Sequence, residues 1–269
     1  MRYITPAGAI SDEGCDVILQ AISAAMHAAE EEGIDELLPF ATSAIREATN
    51  GPELLERIRE RTGVDLQVLS GADEARLTFL AVRRWQGWSS GRILLLDIGG
   101  GSLEIAAGSD EYPDTAVSLP LGAGRSTIGF LHDDPPREHQ LDALRDHARA
   151  VLQDAVPGFA NSGAEHVIGT SKTIRSLARL AGSTTTRTAG PDRLTLGRRQ
   201  LADWVPRLAR IPAEARTALP GITADRTFQI VAGAVVLRET MRALGVDELE
   251  VCPWALREGI ILRYLDHLD

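Results

Sequence analysis

A glycine-rich turn between two acidic residues is the part of this sequence best suited to chemistry. The apolar run 93–96 ends in Asp97, and Glu104 lies in a second apolar run. Between them stand three glycines and a serine: Gly99, Gly100, Gly101 and Ser102. Apolar runs broken by glycine predict two strands joined by a tight turn. Successive N–H groups of such a turn suit an anion such as phosphate, and the serine hydroxyl adds a donor.

The two flanking carboxylates would repel a bound phosphate unless a cation lay between them. Mg²⁺ favours one or two carboxylates together with phosphate oxygens. We therefore predict that Asp97 and Glu104 hold Mg²⁺ and that the turn binds phosphate. A plain glycine-rich hairpin with solvated acids at its ends is the open alternative.

Two better-known phosphate loops do not fit this turn. A Walker loop needs Gly-Lys-Ser/Thr at the start of a helix, and no lysine follows Gly101. A dinucleotide fingerprint also opens a helix, whereas the segment 102–108 is short and is followed by Ser109 and Asp110. The sequence thus predicts a phosphate loop of the strand–turn–strand type.

Two further loops follow predicted strands with small or hydroxyl residues. One spans 122–125 and begins at Gly122, and the other spans 169–172 and contains Thr170 and Ser171. Because ligands lie beyond strand ends in α/β proteins, we predict that these residues join the phosphate site. The alternative for Thr170 and Ser171 is that they only cap the helix that follows.

Upstream of the turn, Arg46 and Glu74 are the side chains best suited to phosphate binding and to catalysis. A guanidinium binds phosphate in bidentate fashion, so Arg46 could clamp a phosphate. A carboxylate can act as a base on water, so Glu74 could activate a water molecule. A surface arginine and a first-turn helix carboxylate, favoured by the helix dipole, are the open alternatives.

Composition limits the class of protein. The 269 residues, 44% hydrophobic and 25% charged, suit one large or two modest globular domains. The net charge of −10 argues against a nucleic-acid surface, and a polyanionic substrate would need local basic groups or cations.

No apolar run has membrane-spanning length and no leader opens the chain, so we predict a cytoplasmic protein without membrane contact. Cys15 and Cys252 lack metal-ligand spacing and are predicted to be reduced, buried thiols.

The order of apolar patterns predicts alternating helices and strands and therefore an α/β fold. Before the turn, we predict helices over 12–32 and 52–62, strands over 36–42 and 64–69, and a helix from Asp73. After it, we predict strands over 115–121, 165–168 and 248–252 and helices over 140–152, 173–180, 198–209, 225–244 and 255–266. The segment 181–192, rich in Thr and Gly, is predicted to be a mobile loop.

Five segments together resemble the exopolyphosphatase/guanosine pentaphosphate phosphatase family, most closely its short actinobacterial-type members. In one-letter code they are ATSAIR (41–46), SGADEAR (70–76), LDIGGGSLE (96–104), LPLGAG (119–124) and ALREG (255–259). The resemblance covers essentially the whole chain. It implies two ribonuclease H-like domains of the actin/sugar-kinase superfamily, over 1–76 and 77–269.

The resemblance also implies Mg²⁺-dependent hydrolysis of a terminal phosphoanhydride, in polyphosphate or in guanosine penta- or tetraphosphate. Glu74 would correspond to the water-activating base and Arg46 to a phosphate-binding arginine. A homodimer is implied as well. The alternative from another class is a non-catalytic nucleotide or alarmone binder of the same fold.

The sequence departs from the family pattern at its beginning. Family members open with a strand and an Asp-x-Gly-Ser-Asn-type loop, whereas this sequence starts beyond that region, at Met1. We therefore expect the first domain to be incomplete, through a mis-assigned start codon or a truncation. We also expect the chain as written to be weakly stable or inactive.

Overall fold

The computed structural model describes residues 3–5, 7–159, 162–185 and 193–268. The chain forms two compact units, Met1–Ser70 and Gly71–Asp269, each with a hydrophobic core of its own. The domain limits 1–76 and 77–269 stay a prediction.

The described residues of the first unit form three helices and two very short strands. They are α1 (Asp12–Glu31), β1 (Phe40–Ala41), α2 (Ser43–Arg46), α3 (Gly51–Thr62) and β2 (Gln67–Val68). Ser11 caps α1 by accepting a hydrogen bond from the Gly14 amide at 3.2 Å, and α3 ends at Gly63 in the left-handed conformation. The strands β1 and β2 are parallel and much shorter than the predicted 36–42 and 64–69. In the described residues they pair only with each other, so nothing extends the ladder.

The core of the first unit is a small cluster in which α1 and α3 supply half of the buried side chains. Cys15, Leu19, Leu54 and Ile58 are buried there. Beside it lies an open apolar groove of about 860 Å³, lined by α1 and by the segments around β1 and β2. A two-stranded sheet has too little surface to cover such a face. The face therefore stays open within this unit.

The second unit is an α/β layer structure. In chain order its elements are α4 (Gly71–Gln86), β3 (Ile93–Ile98), β4 (Leu103–Gly108), β5 (Thr115–Leu119), α5 (Ala123–Phe130), α6 (Glu138–Ala155), β6 (His166–Thr170), α7 (Ser171–Ala181), β7 (Ser183–Thr185), β8 (Arg193–Gly197), α8 (Arg198–Leu208), α9 (Ile230–Ala243), β9 (Glu248–Val251) and α10 (Leu256–Leu265). Short 3₁₀ helices cover Val156–Phe159 and Ala213–Ala218. The strand order is β5-β4-β3-β6-β9-β8-β7. The pairs β3–β6 and β6–β9 are parallel, and the outer pairs on each side are antiparallel.

The strand β3 is apolar throughout because both of its faces are covered. Leu94 and Leu96 belong to the large core shared with α5 to α9, whereas Ile93 and Leu95 pack in a second cluster with residues of α4. Alternate side chains of a strand point to opposite faces. The helix α4 therefore covers the face of the sheet that the odd-numbered residues of β3 present.

Two sequence-based predictions about loops were wrong. The segment 181–192, predicted to be a mobile loop, contains the edge strand β7, which pairs with the unpredicted strand β8. Its Ser-Thr-Thr sequence suits a strand, because β-branched threonine packs well on a sheet. Residues 186–192 lie outside the described residues. The predicted loop at 122–125 is instead mostly the first turn of α5, with Gly122 as its N-cap.

Both cysteines are free and buried, as predicted. Burial raises the pKa of the Cys252 thiol to about 12, although the Trp254 amide donates a hydrogen bond to its sulfur at 3.3 Å. Among the described residues, no helix is both long and apolar enough to cross a lipid bilayer.

Candidate active site

Sheet register brings the two predicted metal ligands onto one face. Asp97 on β3 is paired with Glu104 on β4 and, on the other side, with Thr170 on β6. Directly paired residues of neighbouring strands point to the same face of a sheet. Since Asp97 shares the face of Ile93 and Leu95, these carboxylates lie on the side covered by α4. That helix also carries Glu74 in its first turn.

The three carboxylates are buried and act on one another. Asp97, Glu104 and Glu74 are only 9%, 4% and 6% exposed. Burial and, secondarily, the charge of Glu74 raise the pKa of Asp97 to about 7. Burial, followed by the charge of Asp97, raises the pKa of Glu104 to about 8. Ionising this cluster is therefore costly in the absence of a positive partner.

Hydrogen bonds orient Glu104 more than they orient Asp97. The hydroxyl of Ser118, opposite Glu104 on β5, donates to Oε1 of Glu104 at 2.8 Å. Ser102 also hydrogen-bonds to this carboxylate and lowers its pKa in opposition to burial. By contrast, Oδ1 of Asp97 is buried and has no hydrogen-bond partner among the residues that the structure describes. A buried, unpartnered carboxylate oxygen is costly, and a cation would satisfy it.

The carboxylate oxygens of Asp97 and Glu104 suit a Mg²⁺ ion that is also coordinated by phosphate and water. Across the described residues, no three His, Cys, Asp or Glu side chains come together closely enough to hold a metal on their own. Mg²⁺ does not require such a cage, because it commonly takes one or two carboxylates, several waters and the oxygens of a phosphate. Asp97 and Glu104, both oxygen donors beside an anion-binding turn, fit that mode. The assignment of Mg²⁺ to them stays a prediction.

The turn Gly99–Ser102 is held in one orientation by the start of α5. The amides of Gly122, Ala123 and Arg125 donate to the carbonyl oxygens of residues 101, 99 and 100, at 3.2, 2.9 and 2.9 Å. The side chain of Arg125 adds a bond from Nε to the Gly101 carbonyl at 2.8 Å. All three glycine carbonyls of the turn therefore point toward α5.

Peptide geometry then fixes where the amides of the turn point. In a trans peptide unit the C=O and the N–H point in opposite directions. The N–H groups of Gly100, Gly101 and Ser102 share peptide units with those three carbonyls, so they point away from α5. None of these amides donates to an acceptor among the described residues. Three adjacent amides aimed the same way form an anion-binding concavity.

Gly122 makes the close approach of α5 to the turn possible. A Cβ at this position would overlap the Gly101 carbonyl carbon and the Ser102 nitrogen. A glycine is therefore required here by packing. Gly100 differs, because it is exposed and a Cβ there would meet no atom within 4 Å.

Thr170 and Ser171 are placed beside Asp97 by the β3–β6 pairing, but both hydroxyls are engaged. The Thr170 hydroxyl donates to the carbonyl of Trp254 at 2.7 Å, and the Ser171 hydroxyl accepts from the Ile174 amide at 3.2 Å. The second bond is the helix-capping alternative considered above. Ser171 has a φ of 86°, a conformation that is costly for a non-glycine residue. The phosphate-binding role of these two residues stays a prediction.

Arg46 lies in the first unit, at the end of α2. Its Nη1 donates to the Leu69 carbonyl at 2.8 Å, and its Nη2 lies 3.5 Å from Oε1 of Glu47. These contacts support a structural role in holding the segment after β2. A role for Arg46 in phosphate binding stays a prediction.

Sequence reasoning missed three contributors to this site. It did not recognise that α5 begins at Ala123, that Arg125 supports the turn, or that Ser118 hydrogen-bonds to Glu104. The spacing of Ser118 from Leu119-Pro120 could have suggested its place at the end of a strand. Nothing local could have shown which residue it faces, because the pairing of β4 with β5 fixes that.

The second unit combines an α/β sheet with an outward-facing amide turn and paired acids, and its fold is of the actin-like, ribonuclease H-like type. A family model described as the Ppx/GppA phosphatase family matches residues 2–268. The chain therefore belongs to the Ppx/GppA phosphatase family. This confirms the family, the fold class and the enzyme class predicted from the sequence.

Known relatives agree with this assignment. The chain is 49% identical over 261 residues to exopolyphosphatase 1 of Mycobacterium tuberculosis, covering 97% of this chain and 76% of that protein. It is 50% identical over 265 residues to exopolyphosphatase 1 of Mycobacterium leprae, covering 97% and 77%. The crystal structure of an exopolyphosphatase from Cytophaga hutchinsonii is similar in fold, with a TM-score of 0.85 at 23% identity over 98% of this chain and 85% of that one.

Proposed function

We propose that this chain hydrolyses the terminal phosphoanhydride bond of inorganic polyphosphate in a Mg²⁺-dependent reaction. The observation that carries the proposal is the pairing of two features at the β3–β4 turn. Within the described part of the chain, three amides there point outward without acceptors, and two buried carboxylates beside them have no positive partner. A phosphate group together with a divalent cation satisfies both features at once. The mycobacterial relatives named exopolyphosphatase support polyphosphate as the substrate.

The residues have distinct proposed roles. The amides of Gly100, Gly101 and Ser102 bind the oxygens of the terminal phosphate. Asp97 and Glu104 hold Mg²⁺, which, when bound, offsets negative charge on the phosphate oxygens. Glu74 accepts a proton from the attacking water, and it is buried in the first turn of α4. Phosphoryl transfer needs mainly such positioning and charge neutralisation from a protein.

The open surface at Gly100 adds support. Because no atom of the described residues lies near the position of its Cβ, packing against those residues does not require glycine there. A substrate phosphate lying against the turn would require it, since backbone can then approach the ligand without a side chain in the way. Guanosine pentaphosphate ends in the same anhydride chemistry and is the second substrate to test.

Phosphate release from polyphosphate, with and without Mg²⁺, tests the proposal. We expect Glu74→Gln to lower kcat by about 10² to 10⁴ with little change in KM, since the base acts in the transition state. Glu214→Gln is the matched control, because Glu214 is an exposed glutamate on a 3₁₀ helix, and it should leave the rate unchanged. Equal rates for wild type and Glu74→Gln would overturn the assignment of the base.

The competing function is a non-catalytic nucleotide or alarmone binder. It predicts that guanosine pentaphosphate raises the melting temperature while no phosphate is released under any metal condition. Turnover that depends on both Mg²⁺ and Glu74 would exclude it. Stabilisation by the nucleotide without turnover would favour it over the hydrolase.

A further inference from the structure

The segment 255–259 forms the start of α10, and its role is not explained by the site just described. Helix α10 packs along α4, and the two backbones come into direct contact where Gly259 faces Leu77. A Cβ at Gly259 would overlap the Leu77 carbonyl oxygen and lie 2.6 Å from the carbonyl carbon and 3.2 Å from Cα. Backbone of a buried helix cannot turn aside as a flexible side chain can. Only glycine fits at this crossing.

The residues before Gly259 fix where α10 begins. Oε2 of Glu258 accepts a hydrogen bond from the Ala255 amide at 2.8 Å, which caps the first turn. The cap sets the position of Gly259 in that turn. The segment thus has two linked features, a cap made by Glu258 and a close contact made by Gly259.

The contact lies one helical turn from Glu74. Leu77 follows Glu74 by three residues on α4, a rise of about 4.5 Å along the helix. On its sheet side α4 is packed tightly, since Phe79 and Val82 are fully buried against β3. The helix therefore has no room to retreat toward the sheet. Any added volume at the crossing must move α4 along or around its axis, and Glu74 would move with it.

We propose that Gly259 is a positioning residue for Glu74, because its missing side chain lets α10 hold α4 at the depth that brings Glu74 to Asp97 and Glu104. The proposal rests on the proposed function of Glu74 as the base. It assigns no contact with substrate to Gly259.

The test compares Gly259→Ala with Gly129→Ala. Gly129 is also helical, but a Cβ there would meet nothing within 4 Å, so its alanine variant should keep wild-type kinetics. We expect Gly259→Ala to lower kcat by about 10- to 100-fold with less than about a threefold change in the KM for polyphosphate, because small misplacements of a reacting group are costly. Rates are normalised to the folded fraction measured by circular dichroism. Unchanged kcat in Gly259→Ala would overturn the proposal.

A double-mutant cycle separates positioning from general loosening. If Gly259 acts through Glu74, Gly259→Ala should lower the residual rate of the Glu74→Gln enzyme by less than about twofold. A full 10- to 100-fold loss in that background would show that Gly259 acts otherwise and would overturn the proposal.

Variants at Glu258 keep the proposal testable if Gly259→Ala does not fold. Glu258→Ala removes the cap but leaves the glycine in place, and we expect a several-fold fall in kcat with KM little changed. Glu258→Gln keeps an oxygen acceptor for the Ala255 amide and should restore the rate. Equal rates for the two variants would count against the proposal.

Failure of the proposed function would be recognised separately. If the wild-type chain releases no phosphate, the hydrolase assignment fails, and amide hydrogen exchange at residues 74–77 tests the positioning directly. Faster exchange in Gly259→Ala but not in Gly129→Ala would support it. Identical exchange in both variants would overturn it.

Discussion

The two units of this chain differ in how completely they bury their apolar surface. In its described residues the second unit builds a seven-stranded sheet whose inner strand β3 is buried on both faces. The first unit has two strands of two residues each, and both residues of β2 are exposed. Its groove of about 860 Å³ leaves Leu37 and Leu38 at least partly exposed to solvent.

This contrast shows where a precise site can be built. Asp97, Glu104 and the amide turn are positioned by strand pairing and by α5, all within the well-packed unit. Sites supported by rigid elements hold their geometry better than sites on loosely packed ones. The two proposed metal ligands and the amide turn therefore all lie in the second unit, and the following experiments compare the two units.

Matched substitutions of aspartate give the largest expected contrast. Asp97→Asn should lower kcat by about 10³ and abolish stabilisation by Mg²⁺, because it removes an ionisable ligand from the site. Asp16→Asn, an exposed change in the first unit, should leave both properties unchanged. Phosphate release and melting temperature with and without Mg²⁺ measure the two effects. Retained Mg²⁺ stabilisation in Asp97→Asn would refute the ligand assignment.

Gly122→Ala tests whether α5 holds the turn. The added Cβ overlaps the backbone of Gly101 and Ser102, so the turn must shift and its amides must lose their common direction. We expect kcat/KM to fall by about 10² while the fold is retained. Steady-state kinetics beside circular dichroism would show this. A fully active Gly122→Ala enzyme would mean that the turn does not need its contact with α5.

Large-to-small substitutions test whether the two cores are energetically separate. Ile58 and Leu144 are both fully buried, one in each unit. Each change to alanine should cost about 2 to 5 kcal/mol of the free energy of unfolding. Because the cores are distinct, we expect two denaturant transitions, with Ile58→Ala lowering the earlier one and Leu144→Ala the later one. One shared transition that both variants shift equally would contradict this division.

The pH dependence of stability should be confined to the unit that holds the acidic cluster. The pKa values of Asp97 and Glu104 are raised to about 7 and 8, so the folded state keeps protons that the unfolded chain releases from about pH 4 upward. Without metal, the contribution of these two groups to the free energy of unfolding is therefore fully present below about pH 4. It is lost as the pH rises toward 8.

We expect the later transition to lose on the order of 5 kcal/mol between pH 5 and pH 8 in the presence of a chelator. Asp97→Asn should reduce that loss, and Mg²⁺ should reverse it in the wild type. Denaturant titrations at the two pH values provide the measurement. A later transition that is more stable at pH 8 than at pH 5 would show that the acids are ionised without cost.

Sequence patterns predicted the structure best where the pattern depends on a single strand, helix or hairpin. The hairpin around Gly99–Gly101 followed from apolar runs and glycines, and Asp97 and Glu104, predicted to flank the turn together, are paired across it. The start of α5 at Ala123 was missed, because a Gly-Ala-Gly sequence has weak helix propensity and tertiary contacts with the turn override it.

Relations between distant segments were beyond local patterns. The direction of the turn amides depends on bonds from residues 122–125, about twenty positions away. The need for glycine at 259 depends on a helix nearly two hundred positions earlier. Strand β8 was not predicted because it is stabilised by pairing with β7 and β9. The order of strands in the sheet fixes that pairing, and the five residues of β8 do not reveal it.

The two buried thiols give each unit a built-in reporter. Cys15 lies in the core of the first unit and Cys252 in that of the second, and neither is bonded to another sulfur. Because only the thiolate reacts with alkylating reagents, a buried thiol is labelled only after its surroundings open. The rates at which Cys15 and Cys252 of the unmodified chain are alkylated therefore report the opening of each unit. One experiment measures both rates, and no engineered cysteine is needed.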